Sequence, residues 1–172
     1  MHIDKGLACG TFAKLIPVGM LEVGAIKSFV ATDKFREKKI TDGVPIKWIG
    51  PTFKEKLLNS PEVDVPEMTL RIHGITDSPT SALLLAELGT SAETALAYFW
   101  ELLKYRVSNP VPRKEGRPSV NDWAGIAFVR DKINDLLVVR AHWFYGFNIE
   151  AYSVKEDANQ PRWSDRHQVV SH

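Results

Sequence analysis

Proline and glycine punctuate this chain at short intervals, 10 and 11 of them in 172 residues. Proline withdraws a backbone donor and glycine loosens the chain, so regular structure is cut into short elements. Within the windows left between them, one segment keeps a sustained helical period. Over residues 91–106, Ala92, Ala95, Leu96, Phe99, Leu102 and Leu103 recur on one stripe, the mark of an amphipathic helix. Thr90 and Glu93 stand in capping-box spacing before it, and Lys104 and Arg106 suit the negative end of its dipole. Asn109-Pro110 closes it.

Around that helix the pattern is mostly extended. Residues 24–33, 44–49 and 68–76 read as strands, and 123–130 and 136–145 flank a five-residue hairpin loop at 131–135. A further strand, 147–154, follows Gly146, and 168–171 adds a short terminal one. Pro51 opens a short helix that runs to about Asn59, with Thr52 and Glu55 as a second capping-box pair. Thr80–Leu88, apolar all round and ended by Gly89, reads as a short buried helix. The expected architecture is α+β in one domain, 1–172. It has a mainly antiparallel sheet, one principal amphipathic helix (91–106) and one or two short helices packed on it.

Composition removes several function classes. Lys plus Arg is 22 and Asp plus Glu is 21, a formal net charge of +1, which gives no general argument for nucleic acid or for an anionic membrane. Cys9 is the only cysteine, so no intrachain disulfide forms and no oxidising compartment is required. No run of about 20 apolar residues is present. The chain is expected in the cytoplasm, or made there and then assembled into a larger particle. Walker, Gly-x-Ser-x-Gly and His-Glu-x-x-His patterns and a dinucleotide fingerprint are absent. His2-Ile3-Asp4 and Asp165-Arg166-His167 have ligand-type side chains but no third ligand nearby in sequence. Neither a metal nor a cofactor is expected.

Three features carry functional expectations. The first is a repeated triplet, Arg71-Ile72-His73 and Arg140-Ala141-His142, each inside an expected strand. A period of two puts Arg and His of each triplet on one sheet face. If the two strands were neighbours, Arg71, His73, Arg140 and His142 would converge to bind a phosphate and move protons without a metal. The second is Leu84 to Ala95, which resembles the turn of a helix-turn-helix, with Ala92, Leu96 and Ala97 at the reading positions. Residues 57–101 carry seven acids against one base, which disfavours DNA.

The third is a two-sided charge pattern with many large rings. Residues 34–56 hold seven bases against three acids, and 104–118 five against one. Trp100 is placed on the flank of its helix away from the core stripe, with Tyr105, Arg106, Arg113, Lys114 and Arg117 following. Trp, Tyr and Arg are the residues that anchor interfaces. The leading expectation is therefore a non-enzymatic interaction or assembly subunit with a protein partner or a second copy of itself. A small phosphate-directed enzyme and a DNA-binding module are the alternatives.

Overall fold

The computed structural model describes residues 13–110, 123–155 and 162–172. Ten strands and four helices follow in chain order: β1 (Lys14–Val23), β2 (Ile26–Phe29), α1 (Ala31–Lys34), β3 (Lys39–Thr41), β4 (Val44–Ile49), α2 (Pro51–Lys56), β5 (Glu62–Val65), β6 (Met68–Thr76), α3 (Ser81–Leu88), α4 (Leu96–Ser108), β7 (Ala124–Arg130), β8 (Leu136–Trp143), β9 (Phe147–Ser153) and β10 (His167–Ser171). Eight strands form one sheet in the order β1-β6-β10-β7-β8-β9-β4-β3, and β2 and β5 form a separate ribbon.

This corrects the expected fold class. The sheet is mixed, because β10 runs parallel to β7 and β4 runs parallel to β9. The molecule is mostly β with four short helices, rather than an antiparallel sheet served by one principal helix. Both parallel contacts join segments far apart in the chain: the last strand inserts between β6 and β7, and β4 pairs about 100 residues downstream. Local periodicity carries no information on such pairings. The strand β1 was not expected at all, since Pro17, Gly19 and the bulge between them break its alternation.

The sheet is buried on both faces at its centre. On one face Leu70, Ile72, Val170, Ala127, Val129, Leu137, Val139 and Ile149 meet α4, α2 and α1 in the larger core. On the other, Ile75, Val169, Ile126, Phe128 and Val138 meet α3 and Trp163 in a smaller one. This accounts for the unbroken apolar sequence of β7, whose residues from Ala124 to Val129 are all buried. The loop between β7 and β8 forms as expected. Asp131 Oδ1 accepts from the backbone N–H groups of Ile133 (3.0 Å) and Asp135 (2.8 Å), an Asx turn that leaves Asn134 with φ of 70°.

Helix α4 starts five residues later than its pattern predicts. Residues 92–95 are held against β7 instead: Thr94 N–H donates to the Phe128 carbonyl at 2.8 Å, and the Glu93 carboxylate pairs with Arg130. The Thr90–Glu93 capping box is therefore not made. In its place Glu62 reaches across from β5, its two carboxylate oxygens accepting from Leu96 N–H (2.7 Å) and Ala97 N–H (2.8 Å). Burial pushes the Glu62 carboxyl up, against the pull of those two donors. Thr52–Glu55 likewise makes no cap at α2, whereas Thr80 caps α3 by accepting from Leu83 N–H.

Trp100 is also corrected. It is 1% exposed, because α1 packs against α4 and Phe35, next after α1, lies edge-on against the indole at 5.0 Å between ring centroids. Replacing Glu62 by alanine would strand two helix donors in a part-buried site. We expect a loss of about 1–2 kcal/mol in urea denaturation, and a smaller loss for Glu62→Gln, which keeps one acceptor. Equal stability of Glu62→Ala and wild type would contradict the capping role.

Candidate functional site

The two Arg-x-His triplets do share a sheet face but do not converge. Strands β10 and β7 lie between β6 and β8, so the triplets are about 14 Å apart at ordinary strand spacing. Cross-strand register places His73, Val169, Ile126, Arg140 and Glu150 in one row, and Val169 and Ile126 in its middle are completely buried. His73 is instead bonded to Ser171, Nε2 to Oγ 2.9 Å. Burial, then the nearby Arg71, pulls its pKa down. The four-residue catalytic cluster is not formed.

Half of it sits in a different constellation. The next row reads His167, Ala124, His142, Asn148 and Trp48, so Arg140, His142, Asn148 and Glu150 occupy adjoining positions on one corner of the sheet, with His167 on the same face two strands away, across Ala124. Arg140 Nη2 donates to Glu150 Oε2, and His142 Nδ1 lies 3.9 Å from the same oxygen. Ser164 N–H donates to His167 Nδ1 at 3.1 Å, which leaves the ring proton of neutral His167 on Nε2. Burial, then Arg140, lowers His167 to about 4 and lowers His142 as well, with Glu150 opposing. Burial pushes the hydroxyl of Tyr152, next to Glu150 on the same face of β9 and on the side away from Asn148, up to about 12. Three shielded atoms here, Arg140 Nε, His142 Nδ1 and Asn148 Nδ2, have no hydrogen-bond partner among the described residues.

Sequence reasoning missed Asn148, Glu150 and His167 as members of this corner. The first two were open to inference: a tight β8–β9 hairpin centred on Tyr145 sets Arg140 opposite Glu150 and His142 opposite Asn148. His167 was not, since only the insertion of β10 beside β7 brings it near. Among the described residues no group of three or more His, Cys, Asp and Glu side chains is spaced to hold a metal ion.

The other expected site residues are scattered. Arg106 is buried at 8% exposed, its Nη2 bonded to Gln168 Oε1 and its guanidinium 5.4 Å from the rings of both Tyr105 and Trp123. Burial lowers its pKa. Tyr105 is half-buried on the same helix end. Arg113, Lys114 and Arg117 lie outside the described residues. Ala92, Leu96 and Ala97, the reading positions of the helix-turn-helix resemblance, are each 1% exposed or less, so these three side chains do not face outward. No described helix is long and apolar enough to cross a membrane.

The exposed rings lie elsewhere. At the β8–β9 turn Phe144 is 59% and Tyr145 87% exposed, their centroids 5.1 Å apart. Tyr145 adopts φ of 55°, a left-handed conformation that costs a bulky residue energy. The Lys47 ammonium sits 4.2 Å from the Phe144 ring centroid. Lys34, Lys54 and Lys56 of the basic segment are spent on Asp42, on Glu37 and on Asp131 with Asp135. Lys38, Lys39 and Lys47 have no carboxylate within 4 Å among the described residues. A groove of about 450 Å³ opens at the far end of the sheet, where Val63, Asp64, Val65, Met68, Glu93 and Tyr98 line it beside Arg130.

No protein-family model, curated protein or solved structure matches this chain.

Stability should report the desolvated corner. Unfolded, His167 takes a proton near 6.5; folded, it does so near 4. Between those values the unfolded chain binds more protons, so stability is complete above about pH 6.5 and falls as pH drops towards 4. His73 and His142, also lowered, act in the same direction. We expect the loss of urea midpoint from pH 7.5 to 4.5 to shrink in His167→Gln. An unchanged loss would show that His167 is solvated in the fold.

Proposed function

We propose that this chain is an assembly subunit that associates head to tail with copies of itself, the Phe144–Tyr145 turn of one copy entering the groove beside α4 of the next. The observation that supports this most is the turn itself, where two large rings are held in water on a strained backbone. Such a cost is met when the rings are covered. The groove supplies a complementary cover. Its Val63, Val65, Met68 and Tyr98 are apolar and its Asp64 is acidic, beside the Glu93–Arg130 pair, against the turn's rings and its rim of Lys38, Lys39 and Lys47.

Groove and turn lie at opposite ends of β8, about 25 Å apart at the rise of a strand. A contact between two different patches leaves one of each unused on a dimer, so it propagates into a ring or a filament. The anchors proposed here differ from those read in the sequence, because Trp100 and Arg106 present almost no surface.

Light scattering across a size-exclusion peak gives the test. Wild type should exceed its 19.3 kDa monomer mass as concentration rises through the micromolar range. Phe144→Ser/Tyr145→Ser should stay monomeric, as should Val63→Arg, whose site is 69% exposed and tolerates the change in the fold. Mixed, the two variants should form a capped one-to-one dimer, since each keeps the patch that the other lacks. A wild-type monomer at all concentrations, or no dimer in the mixture, would overturn the proposal.

A further inference from the structure

The basic end of the molecule carries more free charge than the groove of a second copy can meet. Between Lys34 and Ile49 stand five bases and two acids, and both acids are engaged. Asp42 pairs with Lys34, and Glu37 pairs with Lys54 while accepting from Ile49 N–H. Four cations are left over. Arg36, Lys38, Lys39 and Lys47 are exposed, with no carboxylate within 4 Å among the described residues. Against them the groove offers Asp64, since its Glu93 is paired with Arg130. The chain's net charge of +1 hides this local excess.

Strand register sets these cations among exposed rings. Strand β3 is the edge of the sheet, and Ile40 on it lies opposite Pro45 of β4. Pro45 falls between the core residues Val44 and Ile46, so Ile40 and Pro45 share the face turned away from the larger core. Trp48 is on that face too, paired with Asn148 between the core residues Phe147 and Ile149. Ile40 is 74% and Trp48 41% exposed. The β8–β9 turn closes against the same strand: a Cβ at Gly146 would lie 3.3 Å from Lys47 Cβ. The Lys47 ammonium stands 4.2 Å from the Phe144 centroid and 5.7 Å from that of Tyr145. Cations and ring faces thus alternate across about 10 Å, two strand spacings.

We propose that this end of the molecule binds a single strand of nucleic acid, its bases stacked on Trp48, Phe144 and Tyr145 and its phosphates on the four free cations. An exposed ring accepts the face of any base, and only an unpaired strand presents such faces. Lysines seated beside the rings supply the charge that the adjoining phosphates need. An acidic protein segment would use the lysines and leave the ring faces idle. A membrane surface would have to receive the β3–β4 tip, which stands at the same end of the sheet as the aromatic turn and is Asp42-Gly43. Strand binding needs only one copy of the chain. A strand and a second copy compete for the turn, so the two uses exclude each other there.

Fluorescence anisotropy of a labelled oligothymidylate about 15 nucleotides long, the footprint of a single-strand platform, reads the binding. Wild type should bind it with log affinity falling against log salt at a slope of about −3, as four phosphate contacts require. Lys39→Gln/Lys47→Gln, both at exposed sites, should bring that slope to about −1.5. An abasic strand of equal length keeps the phosphates and should bind at least about a hundredfold more weakly. Trp48→Ala should lose about tenfold on the thymidylate; should it not fold, Tyr145→Asn, at a site 87% exposed, is read in the same way. Val63→Glu blocks the groove and leaves the turn free, so it should bind as wild type does whether or not copies associate. No binding of thymidylate at low salt through the micromolar range overturns the proposal, as does equal binding of the abasic strand. So does binding to phosphatidylserine vesicles but not to the strand, affinity lost in Val63→Glu, or affinity unchanged in the folded ring and lysine variants.

Discussion

Strand β7 is enclosed on both faces, and the rest of the molecule is arranged to satisfy that enclosure. Its Ile126 and Phe128 point into the smaller core and its Ala127 and Val129 into the larger. A strand with two apolar faces cannot stand at the surface of a two-layer fold; it needs cover above and below. The larger cover is α4 with α1 and α2, and the smaller is α3 with Trp163. Truncating Phe128 alone would cost about 3–5 kcal/mol by the usual measure of a large core residue, a large share of the stability of a small domain.

The same demand shapes the places where the cover ends. Helix α3 is only eight residues long and cannot span a face eight strands wide. Beyond Trp163 and Tyr152 the face turns polar, and the residues there are partly dried by the core beside them rather than fully solvated. That position explains the chemistry of Arg140, His142 and His167: close enough to the core to lose water, far enough from it to stay open. The start of α4 answers to β7 as well. Because Thr94 and Glu93 are bound along that strand, the helix begins at Leu96, and its first donors need Glu62 from β5.

Elements governed by local pattern were legible in the sequence. The strands 44–49 and 68–76, the helix over Thr80–Leu88 and the Asp131 turn all form where their residues put them. What was not legible came from distant pairing. Nothing in His167-Gln-Val-Val-Ser171 signals insertion between β6 and β7, yet that insertion separates the two triplets and brings His167 to His142. Trp100 was misplaced for a related reason. Helical spacing gives the direction in which a side chain points but not what lies there, and Phe35 of a distant segment fills that space. The exposure of Phe144 and Tyr145 at the β8–β9 turn depends likewise on which segments lie beside that turn, which the local pattern of 136–145 does not give.

The sheet corner is dried by its neighbours, and the imidazole nitrogens report that condition directly. Nitrogen-15 shifts of the five histidines across pH 4–8 would give protonation and tautomer residue by residue. His167 should remain neutral, with its proton on Nε2, until pH falls towards about 4, and His142 should titrate below the ordinary range. Both rings titrating near 6.5 with mixed tautomers would mean that the corner is open to water, and would contradict the arrangement of β8, β9 and β10 on which it depends.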